Sequence, residues 1–146
     1  MAVLKHQLRK AAKLGMAMHL LRECRDRYGL SLASVFAWLH VPIELQQFEL
    51  FYDDQGRPVA YATWAFLADD ILQQYLMDEV DVLPPAQWNE GLNLCVTDVV
   101  APYGDARRVI RFFEDWARRE NRSIFGLKPA KNNMPARALT LKGIDS

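Results

Sequence analysis

A strand-type run that carries a single acid and then leads directly into a helix is the feature that most constrains this chain. Residues 92–102 are mostly apolar and rich in valine, and Asp98 is the one charged residue among them. A tight loop with Pro102 and Gly104 follows, and then the amphipathic segment 106–120. In α/β folds this order of strand, loop and helix presents a ligand to the carboxyl end of the strand.

The position of Asp98 needs an explanation of its own. A charged carboxylate in a β-branched run costs several kcal/mol when nothing pairs with it. Asp98 must therefore have a partner or a task. We expect either a group that orients or accepts a proton in a reaction, or a structural acid that caps the following helix or pairs with an arginine.

Composition places the chain among soluble globular proteins. Its 146 residues, 51% apolar and 25% charged, predict a single domain over residues 1–146 with a sizeable core. The formal net charge of zero argues against nucleic acid as a partner. Cys24 and Cys95 are far apart, and no His/Cys cluster has metal-ligand spacing, so no metal is expected. We find no secretory leader and no apolar run of about twenty residues, so we predict a cytoplasmic protein without a membrane span.

Two helices are predicted before the first strand. Apolar residues recur at helical spacing from Val3 to Arg27, and Gly29 ends this helix. Its basic residues form either a solvated face or a docking surface for an acidic partner. Ser31 is the predicted N-cap of a second helix, which continues through Leu39 and is stopped by Pro42.

The rest of the chain alternates between strand-type and helix-type patterns. Residues 45–52 and 58–66 are rich in β-branched and aromatic side chains and enclose a hairpin loop at 53–57. The remaining predicted elements are a helix at 68–79, the strand at 92–102, a helix at 106–120 and closing strands at 124–127 and 136–141. This order predicts a mixed α/β or α+β class.

Two separated motifs resemble those of one enzyme family. The first runs from Gly56 to Leu67 and reads Gly-Arg-Pro-Val-Ala-Tyr-Ala-Thr-Trp-Ala-Phe-Leu. The second runs from Thr97 to Asp105 and reads Thr-Asp-Val-Val-Ala-Pro-Tyr-Gly-Asp, with Trp88 between the two. In this order and spacing they resemble the RTX toxin-activating lysine acyltransferases. The likeness extends from about Leu14 to about Lys128.

The resemblance implies a fold and a reaction. The fold is acetyltransferase-like (GNAT-like), an α+β domain in which helices flank a central, mostly antiparallel sheet. The reaction is transfer of a fatty acyl group from acyl carrier protein to the ε-amine of an internal lysine in a protein or peptide acceptor. It implies a cytoplasmic homodimer with no tightly bound cofactor, since acyl carrier protein arrives as the donor substrate.

The resemblance also implies a catalytic pair, a histidine near the N-terminus and the aspartate of the second motif. Asp98 matches that aspartate, whereas the histidine position falls on Tyr28 or Arg27. His19, about two helical turns earlier, is the expected stand-in base. A histidine with apolar neighbours on a helix is more often partly buried with a backbone partner. A chain without a base would be a catalytically silent relative that binds an acyl carrier or a partner acyltransferase.

The chemistry of amide formation explains why such a pair is needed. A lysine ε-amine has a pKa of about 10.4 and is almost entirely protonated at neutral pH. A group that accepts its proton is therefore the main requirement for attack on a thioester. A histidine oriented by a carboxylate meets this requirement, and a lone carboxylate meets it more weakly.

The loop after the Asp98 strand is the expected donor site. It stands where acetyltransferase-like folds bind the phosphates of a pantetheine donor through backbone N–H groups. It has one glycine, and the carboxylate of Asp105 would repel phosphate, so a carrier-bound donor is expected over free coenzyme A. A plain turn and a solvated helix face are the alternatives. The expected donor-binding residues are Pro102, Tyr103, Gly104, Arg107 and Arg108.

Overall fold

Helices and strands follow one another in the predicted order. The computed structural model describes residues 1–24, 29–77, 79–80, 82–125 and 140–141. Within these residues the helices are α1 (Ala2–Arg22), α2 (Leu32–Glu44), α3 (Asp69–Leu76) and α4 (Ala106–Glu120). The strands are β1 (Phe48–Tyr52), β2 (Pro58–Leu67), β3 (Asn93–Val100), β4 (Ile124–Phe125) and β5 (Thr140–Leu141), and a 3₁₀ turn, Pro85–Gln87, precedes β3.

The strands of the described part form one sheet in the spatial order β1-β2-β3-β4-β5. All neighbouring pairs are antiparallel except β3 and β4, which run parallel. A parallel pair needs a crossover connection, and α4 supplies it. The predicted α+β class with a mostly antiparallel sheet flanked by helices is thus confirmed, and the arrangement is consistent with an acetyltransferase-like fold.

Helices cover both faces of the sheet. On one face α4 packs over Val96 of β3 and the neighbouring strands. On the opposite face α3 lies near Cys95, whereas α1 lies near Val100 at the other end of the same strand. α2 bridges the two ends, because its Trp38 packs with the Cys95 cluster and its Leu39 with the Val100 cluster.

The prediction that Pro42 stops the second helix is wrong. α2 continues to Glu44 with Pro42 inside it. A proline in a helix interior removes one hydrogen bond and costs about 3 kcal/mol. Both Pro42 and Ile43 are buried, so their packing offsets that cost, and the N–H of Leu45 still bonds to Val41 O at 2.9 Å.

Other element ends also differ from the pattern. α1 ends at Arg22 rather than at Arg27. Just after its end, the N–H of Glu23 bonds back to Leu20 O. Residues 25–28 lie outside the described residues. The third helix ends at Leu76 instead of residue 79. β4 and β5 occupy parts of the two predicted closing strands, and residues 126–127 and 136–139 lie outside the described residues.

Candidate functional site

Asp98 lies beside a β-bulge. Trp64 of β2 pairs with Val96, whereas the preceding residue, Thr63, pairs with Asp98. Thr97 is therefore an extra residue in β3. An extra residue of this kind interrupts the alternation of side chains along its strand.

The bulge turns Asp98 away from α4. Before the bulge, Val96 belongs to the cluster under α4, and after it Val99 packs against that same cluster. Val100 belongs to the cluster under α1 and α2. Residues two apart in a regular strand share a face, so Asp98 lies on the side of Val100. Regular alternation from Val96 would have placed this carboxylate against α4.

The surroundings of Asp98 form what we call the polar strip, which comprises Thr63, Thr97, Asp98 and Tyr75. Asp98 is 3% exposed, and the other three side chains are fully buried. The Oγ1 atoms of Thr63 and Thr97 are 2.7 Å apart and hydrogen-bonded. Tyr75 Oη donates to the Thr97 carbonyl at 3.2 Å. The polar strip thus crosses an otherwise apolar face, between the Cys95 cluster and the Val100 cluster.

α2 and the end of α1 cover this part of the sheet. Trp38 and Leu39 pack on either side of the polar strip, one in each cluster. Cys24, just after α1, packs against the cluster that contains Val100. The chain between the two helices, residues 25–28, lies outside the described residues, and with it Tyr28 and Arg27 at the expected histidine position.

His19 lies on the exposed side of α1. Ala17 and Leu20 are buried beneath α1, whereas His19 is exposed. At 3.6 residues per turn, His19 lies on the opposite side of the helix from the residues that face the sheet. The other histidines, His6 and His40, are exposed as well. The role of His19 as a base stays a prediction.

The predicted donor loop lines a groove of about 420 Å³ at the carboxyl end of β3. Pro102 is half-buried, and Tyr103 is 60% exposed. Gly104 has a φ of 90°, a conformation that side-chain-bearing residues rarely adopt. The residues that line the groove are Asp53, Arg57, Pro58, Val59, Tyr103 and Asp105.

The far wall of this groove comes from the β1–β2 hairpin. The sequence predicts the hairpin itself but not its place in this groove. Arg57 Nε donates to Asp53 Oδ2 at 2.8 Å, and the N–H groups of Gln55 and Arg57 donate to Asp53 Oδ1. These hydrogen bonds, chiefly from the Arg57 backbone, hold the pKa of Asp53 below its usual range. The sequence shows a hairpin turn here, but its position beside Tyr103 depends on the strand order.

The two predicted donor-binding arginines lie in the first turn of α4 and have different contacts. Arg108 Nη1 donates to the carbonyl oxygen of Tyr52 at 2.8 Å, which ties the start of α4 to the end of β1. Arg107 is exposed. The positive charges of these arginines favour an anionic ligand at the start of α4, whereas Asp53 and Asp105 on the walls of the groove oppose one.

Two further properties of the described residues bear on the chemistry. Nowhere in them do three or more His, Cys, Asp or Glu side chains gather as a metal site would require. None of the helices they contain has the length and apolar character needed to span a bilayer.

Comparison with known proteins places the chain in a defined context. The sequence model of the RTX toxin acyltransferase family matches residues 6–137. The lysine-acyltransferase RtxC of Vibrio cholerae serotype O1 is 30% identical over 95 residues, which are 62% of this chain and 61% of that protein. The RTX-II toxin-activating lysine-acyltransferase ApxIIC of Actinobacillus pleuropneumoniae is 38% identical over 64 residues, 44% of this chain and 39% of that protein.

A third relative shows the same partial coverage. The leukotoxin-activating lysine-acyltransferase LktC of Pasteurella haemolytica-like sp. (strain 5943B) is 35% identical over 69 residues, 47% of this chain and 41% of that protein. In all three comparisons the chain spans less than two thirds of the relative's length.

Proposed function

Because this chain belongs to the RTX toxin acyltransferase family, we propose that it transfers a fatty acyl group from acyl carrier protein to the ε-amine of an internal lysine in a protein or peptide. The names of its relatives, lysine acyltransferases that activate leukotoxins or RTX toxins, support this class of reaction and acceptor. The observation that carries the proposal is Asp98, a buried acid turned by a bulge toward the face under α1 and α2. We further propose that the enzyme acts in the cytoplasm as a homodimer.

The reaction requires one bond to form and one to break. The neutral lysine nitrogen attacks the thioester carbonyl carbon, the C–N bond forms, the C–S bond breaks, and the carrier's thiol departs. The nitrogen must lose protons in the process, and the proposed task of Asp98 is to accept or direct one of them. Its burial supports this role, because a carboxylate shielded from water acts more strongly on a nearby charge.

The proposed donor site is the loop after β3. Its backbone and the residues Pro102, Tyr103, Gly104, Arg107 and Arg108 would contact the carrier-bound arm. The two carboxylates that line the groove support a carrier-bound donor, since they disfavour the extra phosphates of free coenzyme A.

His19 remains the proposed base, and its exposed position favours a second candidate function. All three histidines of the chain are exposed. This observation supports the alternative that the chain is a catalytically silent relative that binds an acyl carrier or a partner acyltransferase. The two candidates differ in one measurable quantity, which is acyl transfer by the unmodified protein.

The test is acyl transfer from purified acyl carrier protein to synthetic peptides that each contain one internal lysine, with acylated lysine detected by mass spectrometry. Asp98→Asn should lower the rate by about 100-fold or more, because proton transfer by a positioned group contributes 10²–10⁴. Asp115→Asn, which removes an exposed acid of α4, is the matched control and should leave the rate unchanged.

Three outcomes decide between the readings. Asp98→Asn with an unchanged rate and an unchanged melting temperature contradicts the role of Asp98. His19→Gln with an unchanged rate removes His19 from the mechanism. Transfer by the unmodified protein excludes the silent relative, and no transfer to any peptide supports it.

A further inference from the structure

The first part of α1 is little covered by the other residues that the structure describes. Residues 1–9 are exposed without exception, although they form about two helical turns. Val3 is 71% exposed, Leu4 55% and Leu8 59%. Short helices without packing partners are marginal in water. Large apolar side chains on such a segment indicate that a partner covers it.

The charge of α1 restricts what that partner can be. The helix carries three lysines and two arginines and no aspartate or glutamate. The whole chain has no net charge, so its remaining residues are net acidic. Lys10 pairs with Glu44, and Lys13 lies near Glu49. Among the described residues, Lys5 and Arg9 have no ion-pair partner.

The other basic helix is engaged differently. In α4 the guanidinium of Arg108 bonds to the Tyr52 carbonyl, and Arg118 pairs with Asp115. Three acidic residues in the second half of this helix partly neutralise its five arginines, whereas the charged residues of its first two turns are arginines alone. Two exposed leucines, Leu4 and Leu8, stand beside the basic residues of α1, whereas the one exposed large apolar side chain of α4 is Ile110.

We propose that this projecting surface, formed by Leu4, Lys5, Leu8 and Arg9, docks the acyl carrier protein. The inference rests on the proposed function, which requires an acidic carrier as donor. Lysine and arginine beside apolar side chains complement an acidic helix with an apolar centre, and such complementarity speeds encounter. A second copy fits less well, because a two-fold interface would bring the same positive surface against itself.

The course of α1 connects this surface to the candidate site. The helix starts at the projecting surface and ends near Cys24, which packs beside Val100 on the strand of Asp98. From Arg9 to Arg22, the last residue of α1, the rise of 1.5 Å per residue gives about 20 Å. The projecting surface lies on the side of α1 that faces away from the sheet, so the thioester arm of a docked carrier would cross over the helix to reach Asp98.

The experiment measures binding of purified, unacylated acyl carrier protein by fluorescence anisotropy at low and high salt. Lys5→Glu/Arg9→Glu should raise the dissociation constant about tenfold or more at low salt, because two attractive charge interactions with the carrier become repulsive. The difference should shrink at high salt. Arg111→Glu/Arg119→Glu makes the same charge change on exposed positions of α4 and should alter the constant less than about twofold.

Each other outcome overturns the proposal. If both double variants weaken carrier binding equally, the binding depends on the net charge of the protein and not on this surface. Unchanged carrier affinity in Lys5→Glu/Arg9→Glu, with lost binding to phosphatidylglycerol vesicles, assigns the surface to a membrane. Conversion of a dimer to a monomer by Leu4→Ser/Leu8→Ser, with unchanged carrier affinity, assigns it to a second copy.

Failure of this inference is separable from failure of the proposed function. Carrier binding through α1 without any transfer would contradict the enzyme and keep the docking surface. Acyl transfer by Lys5→Glu/Arg9→Glu with an unchanged KM for the acyl carrier would contradict the docking surface and keep the enzyme.

Discussion

The hydroxyl pair of the polar strip permits a quantitative test of the geometry around Asp98. Thr63→Val and Thr97→Val each keep the shape of the side chain and remove one hydroxyl of a fully buried hydrogen bond. Each single variant leaves the other hydroxyl without a partner and should lower the free energy of unfolding by about 1–3 kcal/mol. The double variant replaces both partners by apolar groups of similar shape and should cost about 1 kcal/mol or less.

The assay is urea unfolding of the wild-type protein, both single variants and the double variant, analysed as a double-mutant cycle. We expect a coupling energy of at least about 1 kcal/mol, since residues that share a hydrogen bond are not additive. Thr97→Ser keeps the hydroxyl and serves as the control. If the free energy of unfolding of the double variant falls by the sum of the two single decreases, the two hydroxyls do not bond to each other. The register at the bulge would then be different.

Two further predictions address other parts of the fold. Gly91→Ala should lower the free energy of unfolding by about 3 kcal/mol in urea, because a Cβ at Gly91 would lie 2.0 Å from the backbone carbon of Leu67; a loss below about 0.5 kcal/mol would contradict the close approach. Burial raises the pKa of Glu49, and Lys13 partly opposes this. The stability that Glu49 contributes is thus present below its unfolded pKa and is lost as pH rises through the raised value. Glu49→Gln should therefore raise the melting temperature at pH 7 but not at about pH 3, and an equal effect at both values would refute the assignment.

The sequence predicts the elements around Asp98 but not the direction of its side chain. Valine-rich composition and the Pro-Tyr-Gly loop are local signals, so the strand, the loop and α4 were all predicted. The bulge at Thr97 arises from the register between β2 and β3, and no local pattern encodes it. Alternation alone would have put Asp98 on the wrong face.

α1 shows a second limit of periodicity. It carries apolar residues on two sides, and the structure packs Ala17 and Leu20 against the sheet while Leu4 and Leu8 are exposed. Spacing identifies both sides as apolar, but only the tertiary contacts decide which one is buried. The sequence therefore does not show that His19 lies on the exposed side. That residues 1–146 form a single domain also stays a prediction.

The hydrogen bond from Arg108 to Tyr52 has a consequence for the groove beside Tyr103. One wall of this groove is the hairpin, and the other is the loop just before α4, with Tyr103 and Asp105. The hairpin is stiffened by Asp53 and Arg57, whose backbone and side-chain bonds close its turn. The hydrogen bond from Arg108 to Tyr52 joins the end of β1, next to this turn, to α4, so that the two walls are held at a set distance. A ligand of this groove would have to fit its existing width, because walls joined in this way resist moving apart or closing.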